Sequence, residues 1–499
     1  MIFYGLDIGS GGCKSVAFSE DGVQLTMSYR EYQAAAGHAD MEPGDMFASI
    51  LDVLKECTVK LGAKAADVAV ISITSFGESF VPIDKDGNNL SKIIMYTDKR
   101  GIEENKRLVE KIGHDRIIDV VCTKPDSMYS LPKAMWVMNN VPNVRENVWK
   151  FLLMTDYAAY KLSGETKINY SLACRTMAFD VEKRIWSDEL LNAAGITSDN
   201  LSEPVVCGSI IGNITRQMAE HIGLPYTTKI MVSAHDQISA AIGAGALDVG
   251  EAVDGTGSVE CITPVFDKII RDKEFSDNNF VIIPHSNTGL YATYAFNFAG
   301  GVLLKWFRDC FASNLKEEAR AKGTSVYHML DLTCPAEPTD VIVIPHFLGA
   351  GGTPDMVANA KGTITGMTMN TALPDIYRAV MEGLTFEMLY NIEKLNNCGI
   401  AINSLRATGG GAKSPVWLQI KADIFGIAIT PLQTDEAGAA GCSMLAAVAM
   451  GKYKNLKEAA EKFVKTGEPY FPSGKYKDIY KYKYEKFKAA RNSLLHLFE

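Results

Sequence analysis

A β-like run ending in an aspartate, then a glycine-rich turn, then a second β-like run occurs twice in this chain, about half its length apart. The first copy is Ile2-Phe3-Tyr4-Gly5-Leu6-Asp7-Ile8, the turn Gly9-Ser10-Gly11-Gly12 and a strand from Lys14 to Phe18, with Asp21-Gly22 turning into a third strand, 23–29. The second copy is Glu251-Ala252-Val253-Asp254, then Gly255-Thr256-Gly257-Ser258 and the start of another strand at Val259-Glu260. An Asp-plus-glycine hairpin opening each half predicts a duplicated α/β unit, not one continuous core. Length agrees, because 499 residues exceed what a single core usually serves. Two domains are expected, 1–246 and 247–499. Helical segments (43–60, Ile102–Ile112, 131–137) alternate with β-rich runs such as 68–73 in the first half. The second half follows with strand 341–344, a long helix 373–395, strand Ser404–Thr408 and helix Pro415–Phe425. No low-complexity linker separates the halves, which predicts a tight seam.

Charge narrows the partners. Against 59 acidic residues stand 50 basic ones, for a net charge of −9, so neither a nucleic acid nor an anionic membrane is expected to bind. No apolar run approaches the roughly 20 residues of a spanning helix. The N-terminus meets an acidic residue before any basic one, unlike a secretory leader. The ten cysteines are scattered, none closer than Cys310 to Cys334, which predicts reduced thiols and a cytoplasmic protein. The last segment, 476–495, sets Tyr476, Tyr480, Tyr484 and Phe487 at helical spacing among lysines. In so acidic a chain this reads as an amphipathic helix docking its aromatic face, in preference to an RNA-binding one.

The first glycine turn fits neither familiar phosphate motif. A Walker loop needs Gly where Cys13 stands, and a dinucleotide fingerprint needs Gly at Lys14; both need a following helix, and a hairpin follows here. A hairpin turn of glycines can still converge backbone N–H groups on a phosphate, with Asp7 placed to hold Mg²⁺ through water; a plain tight hairpin is the alternative. Gly255-Thr256-Gly257 offers a second such nest on the other half. Thr408-Gly409-Gly410-Gly411-Ala412-Lys413-Ser414 sits between a strand and a helix with Pro415 near its start, where a flat ring can lie on bare backbone.

Carboxylates complete the set. Asp236, in Ser233-Ala234-His235-Asp236-Gln237, opens a small-residue helix (238–246) after a strand at 229–232. It is either a helix cap or a base for a substrate hydroxyl. His235 beside it is read as structural. Glu78, after the strand ending near Ser75, and Asp98, in Tyr96-Thr97-Asp98, are each either surface carboxylates or hydroxyl binders.

These residues resemble the FGGY family of carbohydrate kinases, which includes xylulokinases, glycerol kinases and gluconokinases. Gly5-Leu6-Asp7-Ile8-Gly9 is similar to that family's first phosphate loop. Met128-Tyr129-Ser130-Leu131-Pro132-Lys133-Ala134-Met135-Trp136 resembles one signature, departing at Ala134. Gly362-Thr363-Ile364-Thr365-Gly366-Met367, continued by Asp375-Ile376-Tyr377-Arg378-Ala379-Val380-Met381-Glu382, resembles the second. The resemblance implies two duplicated actin-like (ribonuclease-H-like) ATPase domains with ATP and sugar in the cleft between them. Position by position it implies Asp236 as catalytic base and Asp7, with Asp236, as the residues facing Mg²⁺. For ATP it implies Gly9, Ser10, Gly11, Gly12 and Lys14 of the first hairpin, Gly255, Thr256 and Gly257 of the second, Gly300-Gly301, and Gly409, Gly410, Gly411 and Ala412.

For the sugar it implies Glu78, Tyr96, Tyr129, Asp236 and Gln237. Thr74 to Glu78 is more similar to the glycerol-kinase pattern than to the Gly-Gln-Met-His-Gly of typical xylulokinases. Yet Gly77 stands where glycerol kinases carry Arg and Tyr96 where they carry Trp, so Gly77 is expected to leave room for a longer carbon chain. The first loop has Ser10-Gly11-Gly12-Cys13 in place of Thr-Thr-Ser. The expected activity is ATP-dependent phosphorylation of a primary hydroxyl on a ketopentose such as xylulose; a polyol, a deoxyketose and gluconate remain alternatives. A homodimer is the default expectation. The rivals from another class are a non-catalytic actin-like nucleotide switch and a sugar-binding regulator. The retained Asp236 argues against a regulator that has lost catalysis.

Overall fold

Both glycine hairpins form, and each seeds a sheet. The computed structural model describes residues 1–32, 40–286, 289–495 and 497. Strands β1 (Ile2–Ile8) and β2 (Gly12–Ser19) pair antiparallel, and β3 (Gln24–Glu31) adds beyond β2. On the other side of β1 lies β4 (Val68–Ser75), parallel to it; β5 (Ser209–Asn213) and β6 (Lys229–His235) complete the order β5-β6-β4-β1-β2-β3. β1 is buried on both faces, which explains a continuous apolar run in place of alternation.

The second half repeats this plan. β7 (Glu251–Thr256) and β8 (Glu260–Phe266) form the hairpin. Short strands β9 (Ile283–Pro284), β10 (Tyr291–Ala292) and β11 (Ala295–Asn297) extend the β8 side. Then β12 (Ser404–Thr408) runs parallel to β7 and β13 (Ile429–Pro431) parallel to β12. Each sheet is thus a hairpin whose first strand is continued by two parallel strands. The duplication expected from the sequence is present in the topology.

The helices that matter for the site pack on these sheets or on one another, among them α1 (Pro43–Leu61), α2 (Asp236–Gly243), α3 (Gly301–Phe311), α4 (Leu373–Asn397), α5 (Pro415–Phe425), α6 (Ala437–Ala449) and α7 (Lys477–Leu495). The helix after β6 starts at Asp236, two residues earlier than the sequence suggested, because the His235 and Asp236 side chains both accept from the Gln237 N–H and cap the first turn. The terminal helix docks as expected: Tyr480, Tyr484 and Phe487 are buried, with the rings of all three against Phe386. One of its lysines is buried too, since Lys483 pairs with Glu382 of α4.

The seam is made by α2 and α6, which meet backbone to backbone. A Cβ on Gly243 would lie 1.8 Å from the Ala437 carbonyl oxygen, and one on Gly441 1.9 Å from that of Ser239. α6 also lies against β1, where a Cβ on Gly5 would come within 2.4 Å of the Ala439 oxygen. A helix from the end of the chain therefore packs on the first strand, which is why no flexible tether is needed.

Candidate active site

Asp236 occupies the first turn of α2, at the end of β6, with a side chain 29% exposed. Its Oδ1 accepts from the Gln237 N–H at 2.6 Å and lies 3.1 Å from Nδ1 of His235. Burial pushes the Asp236 carboxyl up to about 6, against the Gln237 N–H and the Arg175 charge. A carboxylate so tuned is ionised at neutral pH yet basic enough to take a proton in a transition state. Burial and the neighbouring Arg175 push His235 down to about 3, so it stays neutral. Its structural reading stands.

Glu78 has a partner the sequence did not reveal. It is buried after β4, in the left-handed region at φ 65°, a conformation that costs a non-glycine residue about 1 kcal/mol or more. Arg175 donates from Nε to Glu78 Oε1 at 2.6 Å, and its Nη2 reaches the same oxygen. Ser130 Oγ donates to the Glu78 carbonyl at 2.6 Å. The guanidinium lies over the Tyr129 ring at 5.0 Å and the Tyr294 ring at 5.5 Å. Tyr96 belongs to the same wall, since the charges of Glu78 and Asp236 add to the burial that raises its phenol above the ordinary range. The expectation about Gly77 needs correction. The space beside it is taken: a Cβ there would sit 3.0 Å from Arg175 Cγ and 3.3 Å from His235 Cδ2. Gly77 makes way for Arg175, not for a longer substrate. Asp98 is an ion-pair partner of Arg100 at 2.7 Å.

Across the seam the predicted glycine turns of the second half converge on one hairpin. Gly301 N donates to the Gly257 carbonyl at 2.8 Å and Gly300 N to that of Ser258 at 3.2 Å. A Cβ on Gly300 would meet Val259 carbonyl carbon at 2.5 Å, and one on Gly409 the Thr256 oxygen at 2.6 Å. Close packing explains these glycines. It does not explain Gly11 or Gly410, where a Cβ would meet nothing within 4 Å and no positive φ demands glycine. Bare backbone facing open space in both halves is what a nucleotide cradle requires. Gly12, by contrast, lies inside β2, where a Cβ would approach the Arg30 oxygen to 2.5 Å.

Below each hairpin sits an ionic trio. Lys14 pairs with Asp7 at 3.4 Å and with Glu436, just before α6, at 2.9 Å. Burial raises Asp7 above the usual carboxylate range; Lys14 opposes this, and the charges of Asp236 and Glu436 add to it. Under the second hairpin Lys421 of α5 pairs with Asp254 and Glu260 and donates to Thr256 Oγ1 at 2.7 Å, its ammonium 4.6 Å from the Trp417 ring centre. Among the described residues no group of three His, Cys, Asp or Glu side chains is placed to hold a metal alone. Sequence reading missed Arg175, Tyr294, Glu436 and Lys421. The sequence around each carries no local signal.

A carboxylate raised by burial, Asp236, and open glycine turns at Gly11 and Gly410 thus lie on a duplicated hairpin fold. The model of the FGGY family of carbohydrate kinases, N-terminal domain, matches residues 2–243, and that of its C-terminal domain matches 262–450. The chain belongs to the FGGY family of carbohydrate kinases, phosphotransferases that use ATP. It is 27% identical to a xylulose kinase of Bacillus subtilis over 98% of both chains. It is 26% identical to a gluconokinase of Bacillus licheniformis, over 90% of this chain and 87% of that one. The fold superposes on a ligand-bound xylulose kinase from Lactobacillus acidophilus with TM-score 0.88 at 23% identity, covering 100% and 99% of the two chains. Among the described residues no helix is long and apolar enough to cross a membrane.

Proposed function

We propose that this kinase phosphorylates a neutral ketose, xylulose in the first instance, at a primary hydroxyl. The observation that carries the choice is the charge of the sugar wall. Arg175 is offset by Glu78, His235 is neutral, and Asp236 remains, so the wall is net negative. A carboxylate-bearing sugar such as gluconate would be repelled there, whereas hydroxyls find acceptors. The relatives named xylulose kinase point the same way.

Asp236 accepts the hydroxyl proton as the sugar oxygen bonds to the γ-phosphorus and the bond to the bridging oxygen of ADP breaks. Backbone N–H groups at Gly11 and Gly410, where glycine faces open space, are the donors that would meet the phosphates and nucleotide, with Lys14 adjoining and Gly255–Gly257 shaping the second turn, the Gly257 N–H being held by the Val259 carbonyl. Asp7 and Asp236 are the residues that would hold Mg²⁺. The raised carboxyl of Asp7, with two carboxylates around one lysine and the charge of Asp236 nearby, fits a cation that keeps water and phosphate as its other ligands. That ion supplies neutralisation of phosphate charge when bound. The ten unpaired cysteines support a reducing compartment, the cytoplasm.

The test is ADP release over a panel of ketoses, polyols and aldonates. Xylulose should give the highest kcat/KM and gluconate a value at least about 10-fold lower, the factor one unfavourable charge contact brings. Gluconate preferred over every ketose would overturn the reading.

A further inference from the structure

The Arg175 side chain lies within the first half, is 1% exposed, and meets Glu78, Tyr129 and Tyr294. It comes from the one-turn helix Cys174–Thr176, far in sequence from Glu78. Two of its donors end on one oxygen, Oε1 of Glu78. Both donors take Oε1, and no hydrogen bond to Oε2 is found among the described residues, so Arg175 leaves the second acceptor of the pair unused. The guanidinium also lies near two rings of different origin. Tyr129 precedes the helix Ser130–Asn140 of the first half; Tyr294 lies between β10 and β11 of the second. Cation–π attraction acts over the 5.0 Å and 5.5 Å found here. Tyr294 is half-buried, and the charge of Glu78 adds to the burial that holds its phenol far above the ordinary range, so it faces the sugar wall although it belongs to the nucleotide half. From Tyr294 the chain runs through β11 directly to Gly300 and Gly301, which bond to the phosphate hairpin.

We propose that Arg175 is the specificity-determining positioning residue of the sugar pocket, and that Tyr294 is a wall of that pocket supplied by the other half. Arg175 fixes the strained Glu78 so that Oε2 meets a hydroxyl pair of a neutral sugar, and its planar fork does this as a lysine cannot. Tyr294 closes on the guanidinium only when the halves are together, so sugar binding and closure favour each other. The proposal rests on the sugar-kinase reading above.

The experiment is steady-state kinetics with xylulose and ATP on the wild type, Arg175→Lys, Tyr294→Leu and the double variant Glu78→Gln/Arg175→Gln, which leaves no buried charge unpaired. Each variant should raise the KM for xylulose about 10–100-fold, the range for losing a charge-assisted contact. The KM for ATP should stay within about threefold, because no ATP contact is removed. The double variant should keep the thermal midpoint of the wild type while still binding sugar poorly. Unchanged xylulose KM in Arg175→Lys and Tyr294→Leu would overturn the proposal. So would an ATP KM rising in step with that for sugar, the mark of a merely structural role. A wild type active on a sugar other than a ketose defeats the substrate reading alone, and the same variants measured on that sugar still decide the role of Arg175.

Discussion

Each hairpin carries two charges of an Asp–Lys–Glu trio and takes the third from elsewhere, and the two trios lie in different environments. In the first, Asp7, Lys14 and Glu436 have side chains 19%, 26% and 16% exposed. In the second, Asp254, Lys421 and Glu260 are 0%, 2% and 0% exposed. An Asp–Lys–Glu trio thus occurs twice, built from non-equivalent positions, one part-exposed and the other walled up. A sealed trio holds Thr256 Oγ1 between Lys421 and Asp254, which fixes the strand end from which the phosphate turn springs. The open trio has the same charge balance but meets solvent, and it lies within the field of Asp236. One braces its hairpin from within, and the other stands part-exposed beside Asp236.

The largest effect should come on the open side. Asp236→Asn keeps size but cannot accept the proton, so kcat should fall about 10²–10⁴-fold with the thermal midpoint unmoved. Turnover near the wild-type value would remove Asp236 from the chemistry.

Next in size is the sealed side. Lys421→Met strands two buried carboxylates and should destabilise the protein by about 3–5 kcal/mol, read as a lowered thermal midpoint. Lys14→Met, at a part-exposed pair, should cost less than about 1 kcal/mol of stability while raising the KM for ATP. Equal losses of stability in the two variants would break the contrast.

The smallest effects separate the hairpins by pH. Asp236 acts as a base only when ionised, and its carboxyl lies at about 6, so log kcat/KM should rise with unit slope below pH 6 and level above it. Burial raises Glu260 to about 7 from an ordinary 4.5, so the folded state binds more protons than the unfolded one between those values. Its contribution to stability is therefore greatest at low pH and declines as pH rises from 4.5 to 7. Glu260→Gln should flatten that decline, seen as a thermal midpoint that varies less over the window. An unaltered profile would mean the sealed trio does not titrate.

What the sequence made legible was local. Hairpins, parallel strands and the long α4 follow from runs of apolar residues broken by glycine, and their positions emerged within a few residues. The place of Asp236 was legible because a strand end and a helix start flank it. Arg175, Lys421 and Glu436 were not, because each acquires its role from a partner far along the chain; Arg175 and Glu78 are 97 residues apart, Lys421 and Asp254 167. Nothing in Ala173-Cys174-Arg175-Thr176 says that a buried carboxylate waits for it. The misreading of Gly77 has the same origin. A missing side chain shows as an absence in sequence, and only three dimensions show what fills it.

The contact of α2 with α6 has a mechanical consequence. Where two helices touch through bare backbone, there is no side-chain padding to compress, and the contact serves as a fulcrum. Asp236 begins α2 and Glu436 immediately precedes α6, so both lie close to that fulcrum. Rotation of one half against the other therefore swings the outer rims through a wide arc while the acidic floor scarcely shifts. A door hinged beside its lock can open fully for a sugar to enter and still return the bolt to the same place.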